Sequence, residues 1–456
     1  MENKSIWRET IMPLTYPSVR EDMTTDTLII GGGMTGLLCG HFLNRQGRDY
    51  ILIEQNRIAS HTTAGTTAKL TTQHGLIYSN LLHYQGKDIA EGYYLANKEA
   101  MTRLTELTQT MDCDYEEQTN LIYDMTSQAS IEEELHALEE IGGEGVFVQE
   151  PELLPIKPKA AIATFHQAQF HPLKFLTVIA AGQSRKKNHI FEHTKALDLE
   201  KEGAGYCVTV AAGPDLSTYK IHAKEVIIAT HFPFKNIRGL YFMKMYQSRS
   251  YAMVLDGIPV NLLPPYMAMG SQSEDLSLRK YNGKLILGGR GGKTGEIHGG
   301  FAQLLKDAQC SYPGAKVLQT WATQDCMTLD QMPYIGMHNP SHPGVKVATG
   351  YNKWGMTTAM VAALSLTDQL DKELADIFYP HRSMMHPQVL FNLATSTVNL
   401  LKLKKPRCSH MGCALVWNKE EQSWDCPCHG SRFDKDGAVL NEPAIKETKA
   451  IPFDGK

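Results

Sequence analysis

"DTLIIGGGMTGLLCGHFLNRQGRDYILIE", residues 26–54, decides how the front of this chain folds. Leu28 to Ile30 is an unbroken apolar run, the pattern of a strand covered on both faces of a parallel sheet. Gly31, Gly33 and Gly36 follow in G-x-G-x-x-G spacing, and Met34 to Gln46 predicts a helix that stops at Gly47, a good C′ residue. A second apolar run, Tyr50 to Ile53, ends in Glu54. Strand, glycine turn, helix, strand and terminal acid stand in the order that cradles a dinucleotide. The three glycines differ in role. Gly31 makes the tight turn, Gly33 lets a pyrophosphate approach the backbone, and Gly36 lets the helix pack close to the strand. The helix N-terminus offers partial positive charge to that pyrophosphate, and Glu54 is placed to accept from a ribose hydroxyl. Glycines alone do not choose between FAD and NAD.

The whole chain, 456 residues, is too long for one small core, so two or three domains are expected. Hydrophobic content of 42% with 21% charged residues is ordinary for a globular protein. A net charge of −4 and the lack of a dense basic run give no reason to expect nucleic acid. No stretch reaches the length of an integral membrane segment, and the start lacks the apolar region of a signal peptide. The expected compartment is therefore the cytoplasm, where scattered cysteines stay reduced. Cys39, Cys113, Cys207, Cys310 and Cys326 are scattered and read as small buried hydrophobes, whereas Cys408, Cys413, Cys426 and Cys428 are clustered.

That cluster lies in "CSHMGCALVWNKEEQSWDCPCHGS", residues 408–431. Cys408-x-His410, fifteen residues, then Cys426-x-x-His429 supplies two thiolates and two imidazoles. Such a set suits a tetrahedral zinc knuckle, or a [2Fe–2S] centre with both cysteines on one iron and both histidines on the other. A zinc knuckle leaves Cys413 and Cys428 without a role.

"CSHMGC" and "CPCHGS" resemble the paired loops of respiratory-type Rieske proteins. The resemblance implies Cys408, His410, Cys426 and His429 as iron ligands and a Cys413–Cys428 disulfide clamping the loops together. Removing Cys426 is expected to abolish the cluster and leave flavin in place; removing Cys413 should only weaken the cluster. Ser431 can donate its hydroxyl to a cluster sulfur, but Phe433 stands where those proteins carry a tyrosine, so a potential below the respiratory range is expected. The strands that normally precede the first loop are largely missing, so support for the cluster is expected from the flavin domain or a partner.

Elsewhere the chain resembles the D-amino-acid-oxidase-like FAD oxidoreductases. "ASHTTAGTTAKLTTQHG" (59–75) resembles the stretch that wraps the flavin phosphates and ribityl chain in that family. "ATFHQAQFHPLKFL" (163–176), "AKEVIIATHFPF" (223–234), "TWATQDCMTLDQMPYIG" (320–336) and "VKVATGYNKWGMTTAMVAALSLTDQL" (345–370) resemble its later flavin segments. The last reads as a strand, a turn from Gly350 to Gly355 and a helix, which would aim N–H groups at the flavin pyrimidine. FAD contacts are accordingly expected at Gly31, Gly33, Gly36, Glu54, Thr62, Thr66, Thr67, Gly350, Trp354, Gly355 and Met356.

The fold class implied is α/β: a Rossmann-like FAD-binding domain with an inserted mixed-sheet substrate domain, plus a small, truncated all-β Rieske domain at the C-terminus. The oxidoreductase part spans 1–398, with FAD segments at about 25–80, 159–236 and 326–380 and substrate segments at about 81–158 and 237–325; the Rieske part spans 399–456. The pairing implies oxidation of a C–N bond of an amine or amino acid, hydride passing to FAD and single electrons leaving through a [2Fe–2S] cluster to an acceptor protein. An electron-transfer or redox-sensing module acting on a protein partner is the alternative. Asp325 stands where amino-acid oxidases of that family carry a carboxylate-binding arginine, which favours an ammonium-bearing substrate; Tyr251 and Arg290 are the other substrate-contact candidates.

Overall fold

The computed structural model describes residues 4–11, 14–183, 189–235, 239–382 and 405–448. The domain border expected at 398/399 lies outside the described residues. From the N-terminus the strands are β1 (Met23–Ile30), β2 (Tyr50–Ile53), β3 (Lys69–Leu70), β4 (Glu116–Asp124), β5 (Val146–Val148), β6 (Ala160–Gln169) and β7 (His189–Phe191). Next come β8 (Thr194–Glu202), β9 (Gly205–Ala212), β10 (Ser217–Ile228), β11 (Met245–Asp256), β12 (Met267–Gly270), β13 (Ser277–Tyr281) and β14 (Lys284–Lys293). The remainder are β15 (Lys316–Thr328), β16 (Tyr334–Asn339), β17 (His342–Thr349), β18 (Val416–Asn418), β19 (Ser423–Asp425), β20 (Arg432–Phe433) and β21 (Val439–Asn441).

The apolar run Leu28 to Ile30 sits in the middle of an eight-stranded sheet ordered β16-β17-β10-β1-β2-β7, with β8 and β9 added on β10. β1 runs parallel to both neighbours, Leu28 opposite Ile51 on one side and Val226 on the other. Its side chains alternate between two cores, as a strand covered on both faces must. Leu28 and Ile30 meet Ile51, Ile53, Val208 and Ile228. Ile29 joins Leu37 and Leu38 of the helix Met34–Arg45 and Ala359 and Met360 of the helix Gly355–Leu366. Each fully buried aliphatic side chain contributes about 1.5–3 kcal/mol.

A nine-stranded mixed sheet, β15-β11-β14-β13-β12-β4-β6-β3 with β5 on β6, forms the second layer. It takes in β3 and β6, from the stretches expected to touch FAD, so those stretches bridge the two sheets. The helices Lys87–Thr108 and Ala129–Glu140 fall in the helix-rich stretch 81–158. Four strands of two or three residues, β18 to β21, make the C-terminal sheet, and just ahead of β18 lies an isolated bridge that pairs Arg407 with Ala414. The fold is thus α/β with a small all-β unit at the end. Cys39, Cys113, Cys207 and Cys326 are buried as expected, but Cys310 is exposed, because it lies on the solvent side of the helix Gly300–Ser311. No helix among the described residues is long and apolar enough to cross a membrane.

Candidate functional site

A cavity of about 610 Å³ opens at the C-terminal ends of β1 and β2. Gly31, Gly33, Glu54, Thr62, Thr66 and Thr67 line it on one side, and Gly350, Trp354, Gly355 and Met356 on another. Gly36 does not reach it. The three glycines of the motif differ in surroundings, in the way their separate roles require. Gly31 has φ +112°, and a Cβ there would lie 2.4 Å from the Ala229 carbonyl oxygen. At Gly36 a Cβ would lie 1.9 Å from the Gly31 carbonyl oxygen, so the helix seats directly on the turn. Around Gly33 a Cβ would meet only Thr63 Oγ1, at 3.2 Å, and would project into the cavity instead.

Glu54 accepts from the Gly32 amide at 2.8 Å and the Asn56 amide at 2.9 Å, which fixes its carboxylate on the cavity wall. Burial raises its pKa, and those two amides work against the rise. Thr63, absent from the sequence assignments, accepts from the Met34 amide at 3.2 Å and so ties the threonine segment to the helix start. Thr62 reaches the Gln324 carbonyl at 3.4 Å, and the Thr66 hydroxyl accepts from the Ala68 amide at 2.9 Å.

At the far side, left-handed residues Gly350 (φ 77°), Asn352 (φ 49°) and Lys353 (φ 74°) shape the turn before the helix Gly355–Leu366. Trp354 stacks on His74 with ring centroids 4.8 Å apart, which pins the turn. Asp325 also lines the cavity, 3.5 Å from the Ser250 hydroxyl. Burial raises its pKa, and Lys353 and His231 oppose that rise. Two lysines in the wall escaped the sequence reading: Lys353, and Lys69, whose ammonium meets the Ala268 carbonyl at 2.5 Å and Ser277 Oγ at 2.6 Å. Burial lowers the Lys69 pKa to about 7. The Nε2 of His231 and the hydroxyls of Ser60 and Thr323 are buried on this wall without a hydrogen-bond partner, which fits a polar ligand such as a dinucleotide. Tyr251 lines the cavity and sends its hydroxyl to Glu421. Arg290 does not: it faces a separate groove and is paired with Asp307 at 2.6 Å, at the point where the β11–β14 register shifts.

The cysteine block forms two facing loops. All nine cysteines are thiols in the structure, the expected Cys413–Cys428 pair included, and the Sγ atoms of Cys413, Cys426 and Cys428 lie within 4.8 Å of one another. Cys408 and Cys426 are in direct thiol contact, the His410 amide donates to Cys408 Sγ at 3.4 Å, and the Ser431 hydroxyl bonds to the same sulfur. The His410 and His429 rings sit beside one another, centroids 5.1 Å apart. Burial holds both imidazoles neutral, with pKa lowered to about 4. His429 Nδ1 is buried without a hydrogen-bond partner, and a neutral ring with an idle nitrogen is what an iron ligand requires. The donor set fits a [2Fe–2S] cluster.

The loops press on the middle of the chain. Gln324, next to Asp325 on β15, donates to the Gly430 carbonyl at 3.0 Å. A Cβ on Gly295 would lie 2.6 Å from the Pro427 backbone, and Phe242 meets His429 ring to ring at 5.9 Å. Arg249 of β11 grips Glu421 with two donors, one at 2.9 Å, and Arg432 reaches the same carboxylate at 3.0 Å; all three side chains are at most 9% exposed. Glu420 accepts from the Phe301 amide at 2.9 Å, at the start of the helix Gly300–Ser311. Among the described residues the cluster loops are thus supported by β11, by β15 and by the start of the helix Gly300–Ser311.

With this geometry in place, the comparisons with known proteins are direct. The FAD dependent oxidoreductase family model matches residues 26–369, and the Rieske [2Fe-2S] domain model matches residues 384–452. The chain is 32% identical over 507 residues to YhfW of Bacillus subtilis (strain 168), whose name refers to a Rieske 2Fe-2S iron-sulfur protein; the match covers 99% of this chain and 98% of that one. Over 44 residues it is 46% identical to the cytochrome b6-f complex iron-sulfur subunit 2 of Trichormus variabilis, covering 10% of this chain and 25% of that protein. Glycine oxidase from Geobacillus kaustophilus shares the fold with a TM-score of 0.64 at 18% identity, over 79% of this chain and 100% of that one.

Proposed function

We propose, because the chain belongs to the FAD dependent oxidoreductase family and carries a Rieske [2Fe-2S] domain, that it oxidises a C–N bond of a small amine or amino acid. FAD, held in the cavity, would supply the two-electron acceptor for that step, and a cluster held by Cys408, His410, Cys426 and His429 would supply single-electron transfer toward an acceptor protein. One observation carries the single-electron exit. Asp325 lines the cavity while its neighbour Gln324 holds the Gly430 carbonyl of the second cluster loop, so one strand, β15, separates the two sites. Alternation along that strand is what lets adjacent residues serve both.

The chain's own residues account for the rest. Gly31, Gly33 and the start of the helix Met34–Arg45 receive the pyrophosphate, and Glu54 the ribose. The turn Gly350–Gly355 and the Lys353 ammonium bring positive charge to the pyrimidine end. Asp325 attracts the substrate's ammonium, tempered by Lys353. Anaerobic mixing with a panel of amines and amino acids tests the reading: flavin absorbance should bleach, and the signal of a reduced cluster should follow in electron paramagnetic resonance. No bleaching across the panel, with reduction by a ferredoxin or flavodoxin reductase instead, would replace the enzyme with an electron-transfer module.

A further inference from the structure

We infer that the C-terminal module is part of the FAD site itself, so that cluster and flavin hold one another in place. The inference rests on the reading that FAD lies in the 610 Å³ cavity. Asn441, Glu442, Ala444 and Ile445 line that cavity beside Gln55 and Lys195. These residues flank Glu54, the end at which the motif places the adenosine half of the dinucleotide. The seam there is bonded as well as adjacent: Gln55 Nε2 donates to Glu442 Oε1 at 3.1 Å, and Lys195 Nζ to the Ile445 carbonyl at 3.3 Å.

This wall depends on the cluster loops. Among the described residues the module's buried apolar cluster is Cys408, Cys413, Leu415, Cys426, Cys428, Phe433 and Ala444, so four of its seven members are the clustered cysteines. A cluster that small, under strands of two or three residues, is the setting in which a bound metal or a crosslink contributes most to stability. Ala444 belongs to that core and to the cavity wall at once. Its amide donates to Ser431 Oγ at 3.0 Å, and the Ser431 hydroxyl bonds to Cys408 Sγ. Two hydrogen bonds therefore connect an iron ligand to a residue facing the dinucleotide. Since linkage is reciprocal, whatever the cluster contributes to flavin binding the flavin contributes to cluster retention. The expectation that a chain without Cys426 keeps its flavin is revised accordingly.

The test uses the full chain, stripped of flavin, with and without its cluster, titrated with FAD and read by quenching of flavin fluorescence. Cluster-free protein, from iron-depleted wild type and from Cys426→Ser, should bind FAD at least tenfold more weakly, and flavin-free protein should lose its cluster sooner under a chelator. Glu442→Ala, with its cluster spectrum intact, should bind FAD about threefold more weakly through the lost Gln55 contact, a result that stands even if the cluster-free chain unfolds. Gly33→Val separates the two readings. Full flavin retention in that variant would remove FAD from the cavity. Flavin loss there, with equal FAD affinity in the cluster-free protein or in Glu442→Ala, would overturn the coupling and leave the cavity assignment standing.

Discussion

Gly33 and Gly36 are three residues apart in one motif, yet a side chain at each should fail in opposite ways. Gly33 has φ −81° and ψ −167°, extended backbone that a β-branched residue adopts freely. Its Cβ would meet only Thr63 Oγ1, at 3.2 Å, so Gly33→Val should change the stability of the flavin-free chain by no more than about 1 kcal/mol. The isopropyl group would stand where the pyrophosphate must approach, and FAD affinity should fall about a hundredfold, about 2.8 kcal/mol. Gly36→Ala is the reverse case. Its Cβ would lie 1.9 Å from the Gly31 carbonyl oxygen and 3.3 Å from Ile29 Cγ2, and a backbone oxygen cannot rotate aside. Alanine's better helix propensity returns about 1 kcal/mol, while overlap with a fixed backbone oxygen costs about 3 kcal/mol, the upper end for overpacking, so a net loss of about 2 kcal/mol is expected. Urea unfolding of both flavin-free variants, beside FAD titration, gives the two numbers. A Gly33→Val chain that binds FAD as the wild type does, or a Gly36→Ala chain with wild-type urea resistance, would refute the division of labour.

Arg249→Met leaves Glu421 to Arg432 and Tyr251 alone and should weaken docking of the C-terminal module by about 3 kcal/mol, seen as faster amide exchange across 405–448; unchanged exchange would contradict it. Burial pushes the Glu421 pKa up, but Arg249 and Arg432 more than reverse this and hold it below the ordinary range. Docking strength from that carboxylate is thus whole above the unfolded value of about 4.3 and lost as the pH falls through the lower folded value. Flavin release should begin only below about pH 4.3, and release on the alkaline side instead would point to another group. Asp325→Asn should raise KM about tenfold for amines lacking a carboxylate and alter kcat less; equal KM values would free Asp325 from any substrate role. With Phe433 fully buried where a hydroxyl would otherwise reach the cluster, a redox titration should give a potential well below about +300 mV, and a value at that upper end would show that another donor compensates.

What could be seen in the sequence was what short spacing carries. Gly31, Gly33, Gly36 and Glu54 fall in one β–α–β unit, so order along the chain fixes their order in space. Cys408, His410, Cys426 and His429 belong to two loops joined by the β18–β19 hairpin, and their contact follows from it. Lys69 and Lys353 were missed because a lysine defaults to the surface and only distant pairing buries it. Ser277, the partner of Lys69, comes from another strand of the large sheet, brought near by β3 pairing with β6. The position of Lys353 inside the glycine-bounded turn was the available signal. Arg290 drew notice through its glycine neighbours, yet Asp307 on the following helix claims it. Nothing in the spacing could show that Glu442 meets Gln55, since that contact depends on how the C-terminal module packs against a residue 387 positions earlier.

The C-terminal wall of the cavity also has a place in time. Every other residue that lines the cavity, from Ile30 to Ala359, leaves the ribosome before Val439–Ile445 does. A nascent chain can therefore complete both large sheets and their glycine turn while that side of the cavity is still a doorway. If FAD and the cluster sit as proposed, flavin could enter before the segment Val439–Ile445 folds against that side, and its exchange from the folded molecule would then require that segment to loosen.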